Sequence, residues 1–98
     1  MAAYMIGLLR VKDWDWYREY RAVAEPLVAK HGGKYLVKGG SPTRLEGDAS
    51  VPDAVVMLEF PTREHLNRFY ADPDYLPVMR LRQSTVAAEL WVVDSVGM

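Results

Sequence analysis

Short apolar runs alternate along this chain with longer stretches whose apolar residues stand three and four apart. The first run, Tyr4-Met5-Ile6-Gly7-Leu8-Leu9-Arg10-Val11, is brief, apolar and partly β-branched, and so predicts a strand. Behind it, Asp13 is placed to cap a helix N-terminus, with Asp15 near the positive end of that helix dipole. Tyr17, Tyr20, Ala24, Leu27 and Val28 then share one helical face. Pro26 lacks an N–H and crowds the turn before it, which predicts a kink or break just ahead of it. Gly32-Gly33, following Lys30 and His31, tolerates the left-handed backbone of a helix stop.

The period then changes. Lys34-Tyr35-Leu36-Val37-Lys38 reads as a second strand by its polar and apolar alternation, and Gly39-Gly40 predicts a bend or bulge in it. Thr43-Arg44-Leu45-Glu46 is read as its continuation, and the turn-rich stretch Gly47 to Asp53 as a hairpin return. Ala54-Val55-Val56-Met57-Leu58-Glu59-Phe60 carries the strongest strand signal in the chain. Pro61-Thr62 opens a second helix, with Thr62 as N-cap, Glu64 in the first turn, and Leu66, Phe69 and Tyr70 as its apolar face. Asp72-Pro73 breaks it, a short irregular helix follows from Asp74 towards Arg82, and Ala87 to Val93 forms a fourth strand.

This βαββαβ order predicts an α+β, ferredoxin-like fold: an antiparallel four-stranded sheet with two main helices on one face. The first, third and fourth strands are apolar at consecutive positions, the mark of a sheet covered on both faces. Two helices cover one face. The other, carrying Met57 or Leu58 according to register, needs a second cover, and an identical subunit packed sheet to sheet supplies it. The predicted partner is therefore the chain itself, as a homodimer.

Length and composition narrow the classes. The 98 residues, half of them apolar and 26% charged, are read as a single domain spanning 1–98. A net charge of -1 gives no electrostatic bias towards nucleic acid or acidic membranes. The aliphatic third strand also differs from the aromatic sheet of RNA-recognition modules. No cysteine is present, which excludes disulfides, thiolate nucleophiles and cysteine-bound metals. No His-x-His, His-x-x-x-His or Glu-x-x-His spacing appears, so no metal is expected, and no bound cofactor either. Lys38-Gly39-Gly40-Ser41 lacks the spacing of a phosphate-binding loop. The first residues lack the basic region of a signal peptide, and no apolar run reaches the ~18–20 residues of a membrane span. A cytoplasmic location is the resulting expectation.

Several motifs recur in order along this layout: Val11-Lys12-Asp13 leading into Tyr17-x-x-Tyr20, Gly32-Gly33-Lys34-Tyr35, Lys38-Gly39-Gly40, Leu45-Glu46-Gly47, Glu59-Phe60-Pro61, Phe69-Tyr70, and Pro73-x-Tyr75 with Arg82 beyond. Their order resembles the uncharacterised-domain family numbered 1330, a member of the dimeric α/β-barrel superfamily, over nearly the whole chain. The resemblance implies a ferredoxin-like dimer whose two sheets form a barrel, and it implies no activity. Related members of that superfamily include cofactor-independent oxygenases, isomerases such as muconolactone isomerase, haem-handling proteins and stress-induced dimeric barrels, an analogy of fold alone. His31 stands where the family pattern more often has tyrosine.

The polar residues offer a short set of candidates. His31, at the end of the first helix, is either a cap for exposed carbonyls favoured by the helix dipole or a general base. Glu59 shares a face with Val55 and Met57, where desolvation would raise its pKa and make it a base; the other reading is an ion pair with Arg10, Lys38 or Arg82. His65 is read as a surface residue of the second helix. Lys38 and Arg82 are candidates to hold negative charge, and Glu46 is either a ligand contact or a solvated hairpin-end carboxylate. Tyr35, Tyr70 and Tyr75 either donate phenolic hydrogen bonds to a bound carbonyl or bury their rings and leave the hydroxyls at the surface.

Two functions follow. One is a cofactor-independent enzyme of isomerase or oxygenase type on a small organic substrate, held in a cavity between sheet and helices, with Glu59 or His31 as base. The other is a non-catalytic homodimer that binds a small metabolite or acts as an accessory protein.

Overall fold

A computed structural model describes residues 1–96. The elements run β1 (Ala3–Val11), α1 (Tyr17–Lys30), β2 (Lys34–Gly40), β3 (Ala54–Phe60), α2 (Arg63–Tyr70), α3 (Leu76–Thr85) and β4 (Val86–Asp94). The strands form one antiparallel sheet in the order β2-β3-β1-β4. Both crossovers are helical, because β2 and β4 each lie beyond a neighbour of the strand that precedes them. The fold is ferredoxin-like, with three helices where the sequence pattern marked two main ones and a short third.

Register fixes which side of the sheet each residue serves. Ala3, Met5 and Leu9 of β1 and Ala54, Leu58 and Phe60 of β3 are buried beneath the helices. Their alternates, Tyr4, Ile6 and Leu8 with Val55, Met57 and Glu59, occupy the opposite face. The same alternation places Trp91 and Val93 of β4 beside Ile6 and Tyr4 on that opposite face. Between Met57 and Leu58, it is Met57 that lies on the open side, and Leu58 is only 2% exposed in the core.

The helices dock through an aromatic chain. Rings of Trp14, Trp16, Tyr20, Tyr75, Phe69 and Phe60 succeed one another with centroid separations between 4.7 and 6.0 Å. Tyr75, Phe60 and Phe69 are among the largest fully buried side chains, so the inner end of this chain of rings is also the centre of the core, while Trp14 at its outer end is exposed.

Four local expectations differ from the structure. Helix α1 begins at Tyr17, so Asp13 does not cap it; the Asp13 carboxylate instead accepts the Asp15 N–H at 3.1 Å, forming a turn ahead of the helix. The helix also runs through Pro26 to Lys30. Pro26 removes only its bond to the Ala22 carbonyl, and both residues lie on the exposed face, where water can take that carbonyl. The β2 bulge sits between Tyr35 and Val37, one turn of the pleat earlier than the two glycines. Thr43 to Glu46 is loop, not strand; Arg10 and Val11 hold the far end of that loop through Ser50 and Asp53.

The end of α1 follows the expected form. Gly32 takes φ 81°, its N–H donates to Ala29 O and the Gly33 N–H to Val28 O, the paired bonds of a left-handed helix stop. Thr62 caps α2, accepting the His65 N–H at 3.2 Å.

Candidate functional site

Tyr75, Val78 and Arg82 stand three and four residues apart, so they form one face of α3, and that face packs on the sheet. Arg82 is thereby drawn under the helix and left 4% exposed. On α1, Tyr20 lies on the same stripe as Ala24 and Leu27 and points its ring at Tyr75. The two hydroxyls share a hydrogen bond of 2.6 Å. Beneath them the sheet contributes Met5, Leu9, Val56, Leu58 and Leu90. The result is a largely enclosed cavity of ≈ 50 Å³, apolar over β1, β3 and β4 and carrying its polar groups on α1, β2 and α3 with the preceding Tyr75. That is room for roughly four water molecules at about 10–15 Å³ of accessible volume each.

Its charge is uneven. Arg21, Lys38 and Arg82 line it with one carboxylate, Glu25. Glu25 is already engaged, by the Arg21 Nε at 3.0 Å and by the Lys38 ammonium across the gap between α1 and β2. The Lys38 hydrogen bond holds the Glu25 carboxyl below the usual carboxylate range. Lys38 also lies 4.2 Å from the centroid of the Tyr35 ring.

Burial raises the pKa of Tyr20, as do Tyr75 beside it and the hydrogen bond between them. Burial likewise raises that of Tyr35. Both phenols therefore stay protonated and act as donors. For Arg82, burial alone would lower the pKa; the neighbouring Tyr75 and Tyr20 outweigh it, and the net direction is upward. A buried cation thus faces the cavity, and its Nη2 has no hydrogen-bond partner among the described residues.

The residues singled out from sequence separate into those at this cavity and those elsewhere. Tyr35, Lys38 and Arg82 line it. The Tyr70 ring packs tilted against that of Tyr75 with centroids 5.8 Å apart, and it borders an outer groove that shares Arg82 and Leu90 with the cavity. Glu46 is exposed in the β2–β3 loop and borders only the shallow groove that loop makes with Leu8 and Val55.

Glu59 and His31 are not brought to the cavity. Glu59 sits on the open sheet face, where its alternation with Met57 puts it, and its partner is Lys34 at 3.3 Å. The expected rise in its pKa is reversed: a hydrogen bond from Tyr4, and then Lys34, hold the carboxyl low. His31 Nε2 donates at 2.8 Å to Asp72, a buried carboxylate in the α2–α3 connection that also takes the Asp74 N–H at 2.9 Å. This group fastens the end of α1 to the start of α3. His65 turns back to the Thr62 hydroxyl at 2.7 Å. Among the described residues, no group of three or more His, Asp or Glu side chains could hold a metal ion. Among the described residues, no helix is long and apolar enough to cross a membrane.

Sequence reasoning missed Tyr20, which looked like one more apolar-face residue, and Glu25, whose only signal was its position four residues after Arg21. Asp72 read as a helix breaker alone.

The sequence pattern of a family described as a domain of unknown function, DUF1330, matches residues 2–96. The chain belongs to the DUF1330 family. No curated protein matches it in sequence. Among solved structures, a protein of unknown function from Rhodopseudomonas palustris is similar at 21% identity and TM-score 0.83, over 99% of this chain and 84% of that one. A dimeric ferredoxin-like protein of unknown function from Jannaschia sp. CCS1 is similar at 12% identity and TM-score 0.77, over 97% and 100%. SnoaB, a cofactor-independent oxygenase from Streptomyces nogalater, is similar at 12% identity and TM-score 0.70, over 99% and 95%. At these identities the likeness is one of fold, and the DUF1330 assignment carries no activity with it.

Proposed function

We propose that this DUF1330 protein is a homodimer, paired through its open sheet faces, that binds a compact organic molecule in the cavity between the sheet and helices α1 and α3. The observation that carries the ligand site is the enclosed cavity itself, apolar on one side and lined on the other by buried hydroxyls and a buried guanidinium. Pairing is supported by what the open face exposes. Trp91 is 59% exposed there, with Val93 and Val37 about 40% exposed beside Ile6, Leu8, Val55 and Met57. A patch of that kind on a sheet suits a self-complementary two-fold contact, and the similar Jannaschia protein is described as dimeric.

Binding is favoured over proton transfer by the chemistry of the lining. Tyr20 and Tyr35 are shifted up and Glu25 down, so none of these moves towards neutrality, where an effective base would titrate. The second reading, a cofactor-independent enzyme, has one observation behind it beyond the fold of SnoaB: a guanidinium beside phenolic donors is suited to stabilising an enolate or a developing oxyanion.

Native mass spectrometry with a mixture of compact acids, amides and phenols tests the proposal. The expected species is a dimer of the 11.1 kDa chain retaining one small molecule per subunit. A monomer at micromolar concentration would contradict the sheet pairing. A dimer that keeps no compound would contradict the ligand site.

A further inference from the structure

The buried polar end of the cavity carries more donors than acceptors, because the Tyr75 hydroxyl both interacts with the Arg82 guanidinium and pairs with Tyr20. Arg82 Nη2 has no partner among the described residues, although the residue is 4% exposed and a guanidinium brings five N–H groups wherever it goes. The Tyr20–Tyr75 pair adds a second open donor by simple counting. One hydroxyl donates its single proton to the other, and the acceptor's own proton is left to find a partner elsewhere. The cavity's carboxylate, Glu25, cannot serve, because Lys38 and Arg21 hold it at the mouth. Three cations against one carboxylate leave the lining positive.

We infer that the ligand of this cavity is a small monocarboxylate with an apolar body, its oxygens accepting from Arg82 Nη2 and from the Tyr20–Tyr75 hydroxyl pair. The inference rests on the cavity being a ligand site, and adds which chemistry it selects. A carboxylate matches the planar fork of a guanidinium, and its two oxygens can meet an N–H and an O–H at once. The body would lie against Met5, Val56, Leu58 and Leu90, which offer no polar atom from their side chains. Those walls argue against phosphate, whose remaining oxygens would face hydrocarbon without donors. The same arrangement explains why an arginine is tolerated on the buried face of α3 at all: in the bound state its charge is paired.

Amide chemical shifts of uniformly labelled protein, titrated with butyrate, with the neutral isostere butyramide and with inorganic phosphate, test this. The expected result is saturable movement of cavity residues such as Leu58 and Tyr75 with butyrate. Butyramide should bind about tenfold or more weakly, and R82M should lose about tenfold or more of its butyrate affinity while keeping the wild-type spectrum elsewhere. R82K, which keeps the charge but not the fork, should fall between them. Equal binding of butyramide and butyrate, or unchanged butyrate binding in R82M, would overturn the carboxylate assignment and leave the cavity as a ligand site. Preference for phosphate would also overturn it. Movement of no cavity residue with any of these compounds would overturn the assignment of the acid; a dimer in the native mass spectrum retaining a different compound would then separate that failure from failure of the site.

Discussion

The hydroxyls of Tyr20 and Tyr75 meet at 2.6 Å and join α1 to the first residue before α3. Tyr75 is 1% exposed, so its hydroxyl is held inside the fold, away from bulk water. Tyr75→Phe leaves the Tyr20 hydroxyl short of a partner and is expected to cost about 1–3 kcal/mol of unfolding free energy. Adding Tyr20→Phe removes the orphaned group, so the double variant should lose less than the two single losses summed, by urea denaturation.

Asp72 gives a pH dependence of defined sign. Its hydrogen bond with His31, reinforced by the Asp74 N–H, lowers its pKa from 3.8 to about 2 in the folded state. Because the folded value is the lower one, its contribution is fully present above about pH 4 and is lost as pH falls through about 2. Urea denaturation midpoints of wild type and Asp72→Asn should therefore differ at neutral pH and converge as pH approaches about 2.

Gly33 is held by crowding. A Cβ there would lie 2.5 Å from the Phe60 ring, a side chain with no exposed surface and no room to withdraw. Gly33→Ala is expected to destabilise by about 1–3 kcal/mol, the range for overpacking, as measured by thermal or urea unfolding.

The two sides of β3 should respond differently to one charge. Met57→Asp puts a carboxylate on the open face, where the folded subunit tolerates it and the proposed dimer does not, and association should weaken by roughly a hundredfold or more in sedimentation experiments. Leu58→Asp, one residue along, buries the charge in the core and should unfold the chain itself. A Met57→Asp protein that sediments like wild type would remove the support for sheet pairing.

The fold was legible because its signals are local. β3 was bounded residue for residue by its apolar run, α2 by Thr62 and the Asp72-Pro73 break, and α1's end by Gly32. The α1 start was misread because Asp13 satisfies a cap's chemistry while the chain needs a further turn to bury Trp16 against Tyr20. The site was only partly legible. Tyr35, Lys38 and Arg82 were named for their chemistry, and two separate elements, β2 and α3, bring them to one cavity. Glu59 and His31 have chemistry just as suggestive, yet one falls on the other side of the sheet and the other is taken by Asp72, forty-one positions away. Pairings over such distances leave no periodicity in the sequence, and neither does the 2.6 Å meeting of two tyrosines fifty-five positions apart.

The central claim is that Arg82 is buried for a ligand and not for the fold. Chemical denaturation of R82M without ligand tests it most directly. Methionine fills similar space with no charge to desolvate, so the account predicts stability within about 1 kcal/mol of wild type, or above it. A loss of about 3 kcal/mol or more would show that the guanidinium holds the subunit together, and would contradict the account.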